Sequence, residues 1–261
     1  MTSEPAFSSE QIAPGARTSG GRLPLVLHLE RLCTLLRWQA IKLASALCVG
    51  GIVFLHFRGV AKLTLDRSYD YDLSTAIDAL VPLLPWTWWL YLPVYLLSIL
   101  AAVLAARDRR TFFRCLAAFI LAEIFSSCIF FLVPSSFPRP EGLRGTGLTP
   151  ELLSWMWQVD PPNNTFPSMH VALVVLVALG LWEELNPLRY LNTALAVAIV
   201  ASIHTVKQHY VIDSIGGVVM AIGCFTIVFR LYPKVFRRPM TPRGVRILAR
   251  WSSGSWGGKP R

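Results

Sequence analysis

Two histidines and an aspartate form the pattern in this chain that is most suited to chemistry. His209 and Asp213 lie four residues apart in the stretch KQHYVID (207–213), between two strongly apolar segments. On a helix, residues at that spacing share one face. The carboxylate can then accept a hydrogen bond from one imidazole nitrogen and leave a lone pair on the other. An imidazole prepared in this way acts as a nucleophile or as a general base.

The second histidine lies in FPSMH (166–170), where Pro167 and Ser168 are typical of the first residues of a helix. Free backbone N–H groups at a helix N-terminus bind anions. His170, in the same first turn, would act beside a bound anion as a general acid. Two cations extend the pattern: Arg139 offers a planar fork to phosphate oxygens, and Lys207 offers a point charge.

These residue types predict a phosphoryl-transfer site that uses neither a metal nor a cofactor. The sequence has no cluster of carboxylates that would hold magnesium, and it has no glycine-rich phosphate loop.

The elements that must position this site are membrane-spanning helices. Hydrophobic residues make up 54% of the 261 residues and charged residues 15%, whereas about 25% are charged in a typical soluble domain. Apolar runs of roughly 17–22 residues recur, and such runs are long enough to cross a bilayer. We therefore predict an all-α integral membrane protein with a bundle of six transmembrane helices, at about residues 40–57, 86–106, 112–133, 168–182, 188–206 and 210–232.

Four regions are predicted along the chain. Residues 1–22 lack the apolar core of a signal peptide and are predicted to be disordered. Residues 23–39 mix leucines with charged residues, which favours an amphipathic helix on the membrane surface. Residues 40–232 form the membrane catalytic domain, with a short interfacial helix within 73–84, and residues 233–261 form a basic cytoplasmic tail.

The distribution of Lys and Arg predicts the orientation in the membrane. The N-terminal segment, the RDRR loop (107–110) and the C-terminal tail are basic, and six spans place all three on one side. Basic loops are cytoplasmic, so both termini are predicted to be cytoplasmic. The histidine clusters and Arg139 then lie on the periplasmic, extracellular or lumenal face.

The net charge of +10 does not indicate a nucleic-acid partner. Residues 230–261 carry nine Lys and Arg and no acidic residue, directly after a predicted span. Such a tail is typical of a cytoplasmic anchor to anionic lipid, and no basic domain with interleaved aromatic residues accompanies it. The predicted partners are the membrane and a lipid phosphate substrate, and the sequence leaves the oligomeric state open.

The motifs resemble those of the type 2 phosphatidic acid phosphatase superfamily. PSMH, followed about forty residues later by H-x-x-x-D, is similar to its second and third signatures, and Arg139-Pro140 resembles the end of the first. The stretches DLSTAIDALVPLLPWTWWLYLPVY, FPSMH and KQHYVID are similar to the branch that contains fungal inositol phosphorylceramide synthase and the sphingomyelin synthases. The resemblance covers roughly residues 66 to 225 and implies a phosphatase-like helical core.

The resemblance also implies roles for individual residues. His209 would attack phosphorus and form a phosphohistidine, Asp213 would orient it, and His170 would protonate the leaving group. Arg139 and Ser168 would hold the phosphate. The implied activity is cleavage of a lipid phosphoester or pyrophosphate. Water as the acceptor would make the protein a phosphatase, and a lipid hydroxyl such as that of ceramide would make it a head-group transferase.

Three positions depart from the superfamily pattern. Leu132 stands where a lysine is usual, Met169 where a glycine is usual, and Ile203 where an arginine is usual. Lys207 lies one helical turn after Ile203, so we expect it to supply a substitute cation from nearly the same helix face.

Two questions stay open at the level of sequence. Glu123 lies in the middle of the third predicted span, where a carboxylate is either functional or a hydrogen-bonded structural group. A transporter or channel is the competing class of function. It requires polar residues deep in several spans, and apart from Glu123 the predicted spans are nearly free of charge.

Overall fold

The computed structural model describes residues 22–67, 71–140, 143, 146–160 and 162–231. Within these residues the secondary structure is helical, apart from isolated β-bridges that join Tyr71 to Ser135 and Ser136 to Asn163. The α-helices are α1 (Arg22–Thr64), α2 (Ala76–Leu80), α3 (Tyr95–Ala105), α4 (Arg109–Leu132), α5 (Leu148–Val159), α6 (Met169–Glu183), α7 (Arg189–Thr205) and α8 (Val211–Thr226). The predicted basic tail, and all but the last residue of the predicted disordered segment, lie outside the described residues.

The chain divides into two compact units, Met1–Ile41 and Lys42–Arg261. In the first unit, the described residues belong to the beginning of α1. The second unit contains the end of α1, the other helices and every residue of the predicted site.

Four described helical stretches are long and apolar enough to cross a membrane: His28–Arg67, Pro85–Ala105, Arg109–Leu132 and Val211–Leu231. They cover the first, second, third and sixth predicted spans. The fourth and fifth fall on α6 and α7, which have 15 and 17 residues, whereas a perpendicular span needs about 20. The number of six spans therefore stays a prediction.

The first helix differs from its prediction in one respect. Because α1 runs from Arg22 to Thr64 as one helix, the backbone has no break at the boundary predicted near residue 40. The placement of residues 23–39 on the membrane surface stays a prediction.

Helix α6 is central to the larger unit, and its first turn carries His170 of the predicted site. Its side chains enter two apolar clusters. One joins Val171 and Val174 to Ile199 of α7, and the other joins Ala172 and Leu176 to side chains of α4 and α8. A helix that packs on several sides is apolar around its whole circumference, and this explains the nearly uninterrupted run of apolar residues in α6.

Two consecutive glycines bring α8 against the beginning of α6. A Cβ atom on Gly217 would lie 2.5 Å from the backbone oxygen of Ser168, and a Cβ on Gly216 would lie 2.6 Å from the ring of Phe166. Any larger residue would push the two helix N-termini apart, so the glycines set the separation of the two histidine motifs.

The connections contain one predicted helix and one that the sequence analysis missed. Within the predicted interfacial segment 73–84, α2 is short, and the Asp78 carboxylate accepts a hydrogen bond from the Thr75 N–H at 2.8 Å. The missed helix is α5, which lies in the long connection after the third predicted span. Leu153 and Met156 of α5 are buried, three residues apart, as expected for the inner face of a helix.

Candidate active site

His209 and Asp213 form a buried pair at the beginning of α8. Nδ1 of His209 lies 3.2 Å from Oδ2 of Asp213, and the same oxygen accepts the backbone N–H of Tyr210 at 2.9 Å. His209 precedes α8, so the contact does not join two residues on one helix face, as the spacing suggested. The carboxylate instead caps the helix N-terminus, where its negative charge is favourable, and holds the imidazole from there.

His170, in the first turn of α6, lies next to His209 on the side away from Asp213. Its Nδ1 lies 3.5 Å from Nε2 of His209, and its Nε2 lies 3.1 Å from the hydroxyl of Tyr91. Tyr91 is buried and belongs to a π-helical turn, Leu90–Val94, that contains Pro93. Proline has no N–H to donate within a helix, and π-turns are frequent at functional sites.

One set of proton positions that satisfies these contacts keeps both histidines neutral. Asp213 accepts from Nδ1–H of His209, which leaves a lone pair on Nε2 of His209. Nδ1–H of His170 then faces that lone pair, and the Tyr91 hydroxyl donates to Nε2 of His170. The arrangement produces one nucleophilic nitrogen with a proton donor beside it, as a phosphoryl-transfer site requires.

Arg139 lies on the segment after α4 and reaches the turn that carries His209. Its guanidinium donates to the backbone oxygens of Lys207 at 2.7 Å, Gln208 at 3.3 Å and Asp160 at 3.4 Å. Burial lowers the pKa of Arg139, while the nearby Asp160 raises it, and a guanidinium in this range stays charged. Part of its hydrogen-bonding capacity thus fixes the backbone beside the nucleophile.

Ser168 is the N-cap of α6, as the sequence predicts. Its hydroxyl accepts the Val171 N–H at 3.4 Å, and its own N–H donates to the backbone oxygen of Asp213 at 3.0 Å. Its side chain is fully buried, and it is not among the residues that line the cavity beside the histidines. In this structure Ser168 joins the two motifs and holds their geometry.

The structure does not bring the Lys207 ammonium group to the imidazoles. Lys207 has a left-handed backbone with φ 57°, and its Nζ donates to the backbone oxygens of Val81 at 2.5 Å and Asp78 at 3.4 Å. Burial lowers the pKa of Lys207, and the Asp78 carboxylate opposes that effect. The predicted substitution for the missing cations has no contact in this structure that supports it. The reason is the left-handed turn, because the prediction assumed a continuous helix.

A cavity of about 460 Å³ opens beside the two histidines. Its polar end is lined by His170, His209, Gln208, Arg139 and Asn164, together with Asn163 and Thr165. From there it extends between α1, α3 and α4 along apolar side chains that include Val53, Phe54, Phe57, Leu96, Ile99 and Phe119. A lipid has this same division, with a phosphate at one end and hydrocarbon at the other.

Glu123 lines the cavity away from the polar end. Its Oε1 lies 3.0 Å from Nδ1 of His56, while its Oε2 is buried without a partner among the described residues. His56 is half exposed. The open question from the sequence is thus answered in part, since the carboxylate has a hydrogen-bonded partner at one oxygen and none, among the described residues, at the other.

The sequence does not predict a role in the site for two residues that line the cavity, Tyr91 and Gln208. Tyr91 lies among tryptophans and tyrosines, a composition that is typical of a membrane interface. Gln208 stands out only as a polar residue between two apolar segments, beside the candidate nucleophile.

No group of three or more His, Cys, Asp or Glu side chains that could hold a metal ion occurs within the described residues. The cysteines at positions 33, 48, 115, 128 and 224 are free thiols.

Comparison with known families gives one result that covers most of the helical unit. The family model of the PAP2 superfamily matches residues 73–227, which is more than half of the chain and contains both histidine motifs. No curated protein and no solved structure matches the chain.

Proposed function

Because this chain belongs to the PAP2 superfamily, with the phosphatase-like chemistry that membership suggests, we propose that it cleaves a lipid phosphoester or pyrophosphate through a phosphohistidine on His209. The observation that carries the proposal is the line of groups from Asp213 through His209 and His170 to Tyr91. The cavity beside them has a polar end and an apolar end, and this supports a lipid as the substrate.

The first step forms one bond and breaks one. The lone pair on Nε2 of His209 attacks phosphorus, while the bond from phosphorus to the leaving oxygen breaks. His170 takes up a second proton, on Nε2, when the substrate binds, and it then gives the Nδ1 proton to that oxygen. Asp213 stabilises the positive charge on the imidazole of His209. The guanidinium of Arg139 stabilises the charge that develops on the phosphoryl oxygens.

The second step reverses these roles. Neutral His170 removes a proton from an acceptor hydroxyl, the acceptor oxygen attacks phosphorus, and the bond between phosphorus and His209 breaks. With water as the acceptor the product is inorganic phosphate or a phosphorylated head group. No step in this scheme passes through a metal ion, so EDTA is expected to leave the activity unchanged.

Head-group transfer to a lipid hydroxyl is the second candidate. Two observations favour it: His209 is only 7% exposed, and the cavity beside it continues along apolar side chains. Burial of an active site limits the access of water to it, and the apolar part of the cavity can hold the chain of a second lipid. The resemblance of FPSMH and KQHYVID to the inositol phosphorylceramide synthase and sphingomyelin synthase branch supports the same reading.

In the proposed arrangement the protein crosses the membrane several times, with both termini in the cytoplasm. The site then lies on the periplasmic, extracellular or lumenal face. The basic RDRR loop and the basic tail support this orientation.

The test uses the purified protein in detergent with a panel of lipid phosphates, with and without a lipid alcohol. The products are identified by mass spectrometry. We expect turnover to fall by about 10³-fold or more in His209→Ala, with His28→Ala as the matched control because His28 lies on an exposed part of α1. Full activity of His209→Ala, or strict dependence on magnesium, would contradict the mechanism. Transfer without net hydrolysis would identify the second candidate.

A further inference from the structure

Gln208 is a buried amide that the fold leaves without a partner. Its side chain is 1% exposed, and both Oε1 and Nε2 lack a hydrogen bond within the described residues. An unsatisfied buried polar group costs about 1–3 kcal/mol, and native structures contain few of them. Gln208 lines the polar end of the cavity together with His209, His170 and Arg139, so a ligand in that cavity can supply the missing partners.

Hydrogen bonds fix both the backbone N–H and the backbone oxygen of Gln208. Its N–H donates to the backbone oxygen of Ile203 at 3.0 Å, and its backbone oxygen accepts from Arg139. The residue directly after it is His209. The backbone that carries the amide is therefore fixed directly beside the nucleophile.

Asn164 presents a second amide to the same cavity. It is 3% exposed, and its Oδ1 accepts from the hydroxyl of Thr64 at 2.7 Å. Its Nδ2 has no partner within the described residues. Together with Nε of Arg139, which is also buried without a partner, these groups give the polar end three donors, and only the guanidinium carries a charge.

Apart from the two histidines, the ionisable Arg, Lys, Asp and Glu side chains that line the cavity are equal in number for the two signs. Among the described lining residues, the cations are Arg58 and Arg139, and the anions are Glu123 and Asp160. A phosphomonoester carries a charge between about −1.5 and −2 at neutral pH, because its second pKa is about 6, whereas a phosphodiester carries a single negative charge. Amide donors can bind phosphate oxygens without adding positive charge.

From these observations, and building on the proposed function, we propose that the amides of Gln208 and Asn164 bind phosphate oxygens where other sites use cations. This neutral subsite makes the protein selective for a singly charged lipid phosphodiester over a doubly charged lipid phosphomonoester.

The test compares two lipids that share the same short acyl chains, one a phosphomonoester and one a phosphodiester. The measured quantity is kcat/KM for the monoester divided by kcat/KM for the diester, followed by mass spectrometry. Gln208→Lys adds a cation beside the nucleophile and is expected to raise this ratio by about 10-fold or more, which corresponds to about 1.4 kcal/mol. Gln208→Glu has nearly the shape of the native residue, adds a negative charge, and is expected to lower the ratio by a similar factor.

Gln158→Lys is the matched control, since Gln158 is exposed on α5 and does not line the cavity. It makes the same change of charge and should leave the ratio unchanged. If Gln208→Lys does not fold, Gln208→Glu still decides the outcome.

The two levels of the proposal fail in different ways. If the wild type processes either lipid and His209→Ala does not, the proposed function stands. An unchanged ratio in both Gln208 variants then overturns the subsite. A wild type that prefers the monoester overturns the selectivity directly. If neither lipid reacts with the wild type, the proposed function fails and the subsite fails with it.

Discussion

The two ends of the helical unit both bury polar side chains, but they treat them differently. At the end away from the histidines, Lys42 Nζ donates to the backbone oxygens of Leu104 at 2.7 Å and Ala106 at 2.8 Å. Asn186 donates to the backbone oxygen of Ala105 at 2.9 Å. These contacts satisfy the carbonyls at the C-terminus of α3, which have no partner within the helix.

At the histidine end, several buried atoms have no partner within the described residues. They include Nε2 and Oε1 of Gln208, Nδ2 of Asn164, Nε of Arg139 and Oδ1 of Asp213. Buried atoms without a partner in the described part of the chain also occur near the other end, at Nε of Arg189 and Oδ1 of Asn192. The difference is that Gln208, Asn164 and Arg139 line the cavity, where a ligand can satisfy them, whereas Lys42 and Asn186 satisfy backbone oxygens and stabilise the fold. Variants at the two ends should therefore separate activity from stability.

The largest effect on activity within this comparison is expected from Asp213→Asn. The amide cannot act as the negative partner of His209, so kcat should fall by about 10³-fold. The free energy of unfolding should change little, because the substitution also removes a buried charge whose Oδ1 has no partner. Turnover and thermal unfolding in detergent check both parts. A kcat within 10-fold of the wild type would show that the carboxylate is not needed to orient the imidazole.

A smaller loss is expected from Gly217→Ala, because its Cβ would lie 2.5 Å from the oxygen of Ser168. Overpacking of this kind costs about 1–3 kcal/mol, and the displacement should lower kcat/KM by about 10–100-fold. Gly223→Ala is the matched control on the same helix, since its Cβ would meet no atom within 4 Å. Equal effects of the two substitutions on kcat/KM would argue against a role for the close approach of α6 and α8.

Removal of the Tyr91 hydroxyl should lower activity by about 10-fold. Tyr91→Phe keeps the ring but removes the hydrogen bond to Nε2 of His170, so the imidazole loses its orienting partner. The pH profile of kcat should shift as well, and a purely structural role for Tyr91 would leave it in place. Tyr95→Phe is the control, because the ring of Tyr95 packs edge-to-face with that of His170 and Phe keeps this contact. A similar loss in both variants would assign the effect to packing.

The smallest effect on activity is expected at the opposite end. Lys42→Met leaves the backbone oxygens of Leu104 and Ala106 without this donor, and the free energy of unfolding should fall by about 1–3 kcal/mol. Turnover per folded molecule should stay within 2-fold of the wild type, since Lys42 contacts the C-terminal end of α3, whereas Tyr91, the contact of His170, precedes the other end of that helix. Thermal unfolding and active-site titration measure the two quantities. A variant that loses turnover but keeps its stability would reverse the comparison.

The order and spacing of the motifs were enough to predict which side chains meet. His170, His209 and Asp213 lie in contact as expected, because short motifs at the ends of apolar segments must come together when those segments pack. The geometry was not predictable in the same way. A spacing of four residues suggested one helix face, but the left-handed backbone of Lys207 ends α7 and places His209 before α8.

The same backbone feature explains the position of Lys207, whose ammonium group contacts Val81 and Asp78 in this structure; its role as a substitute cation stays a prediction. Tyr91 and α5 were not predictable for another reason. Their positions depend on contacts between segments distant in sequence, such as Tyr91 and His170, which are 79 positions apart, and local pattern carries no information about such contacts. Aromatic residues near a membrane boundary fit an anchoring role equally well.

The hydrogen bond from the Ser168 N–H to the Asp213 oxygen, packed over Gly217, has a mechanical consequence. It ties the N-termini of α6 and α8 together, so these two helices cannot separate without losing a backbone hydrogen bond and the alignment of the two imidazoles. The tie restricts movement on the histidine side of the cavity. Under the proposed function, a lipid that needs the cavity to widen would displace α1, α3 or α4, which line the rest of it, while His170 and His209 keep their alignment.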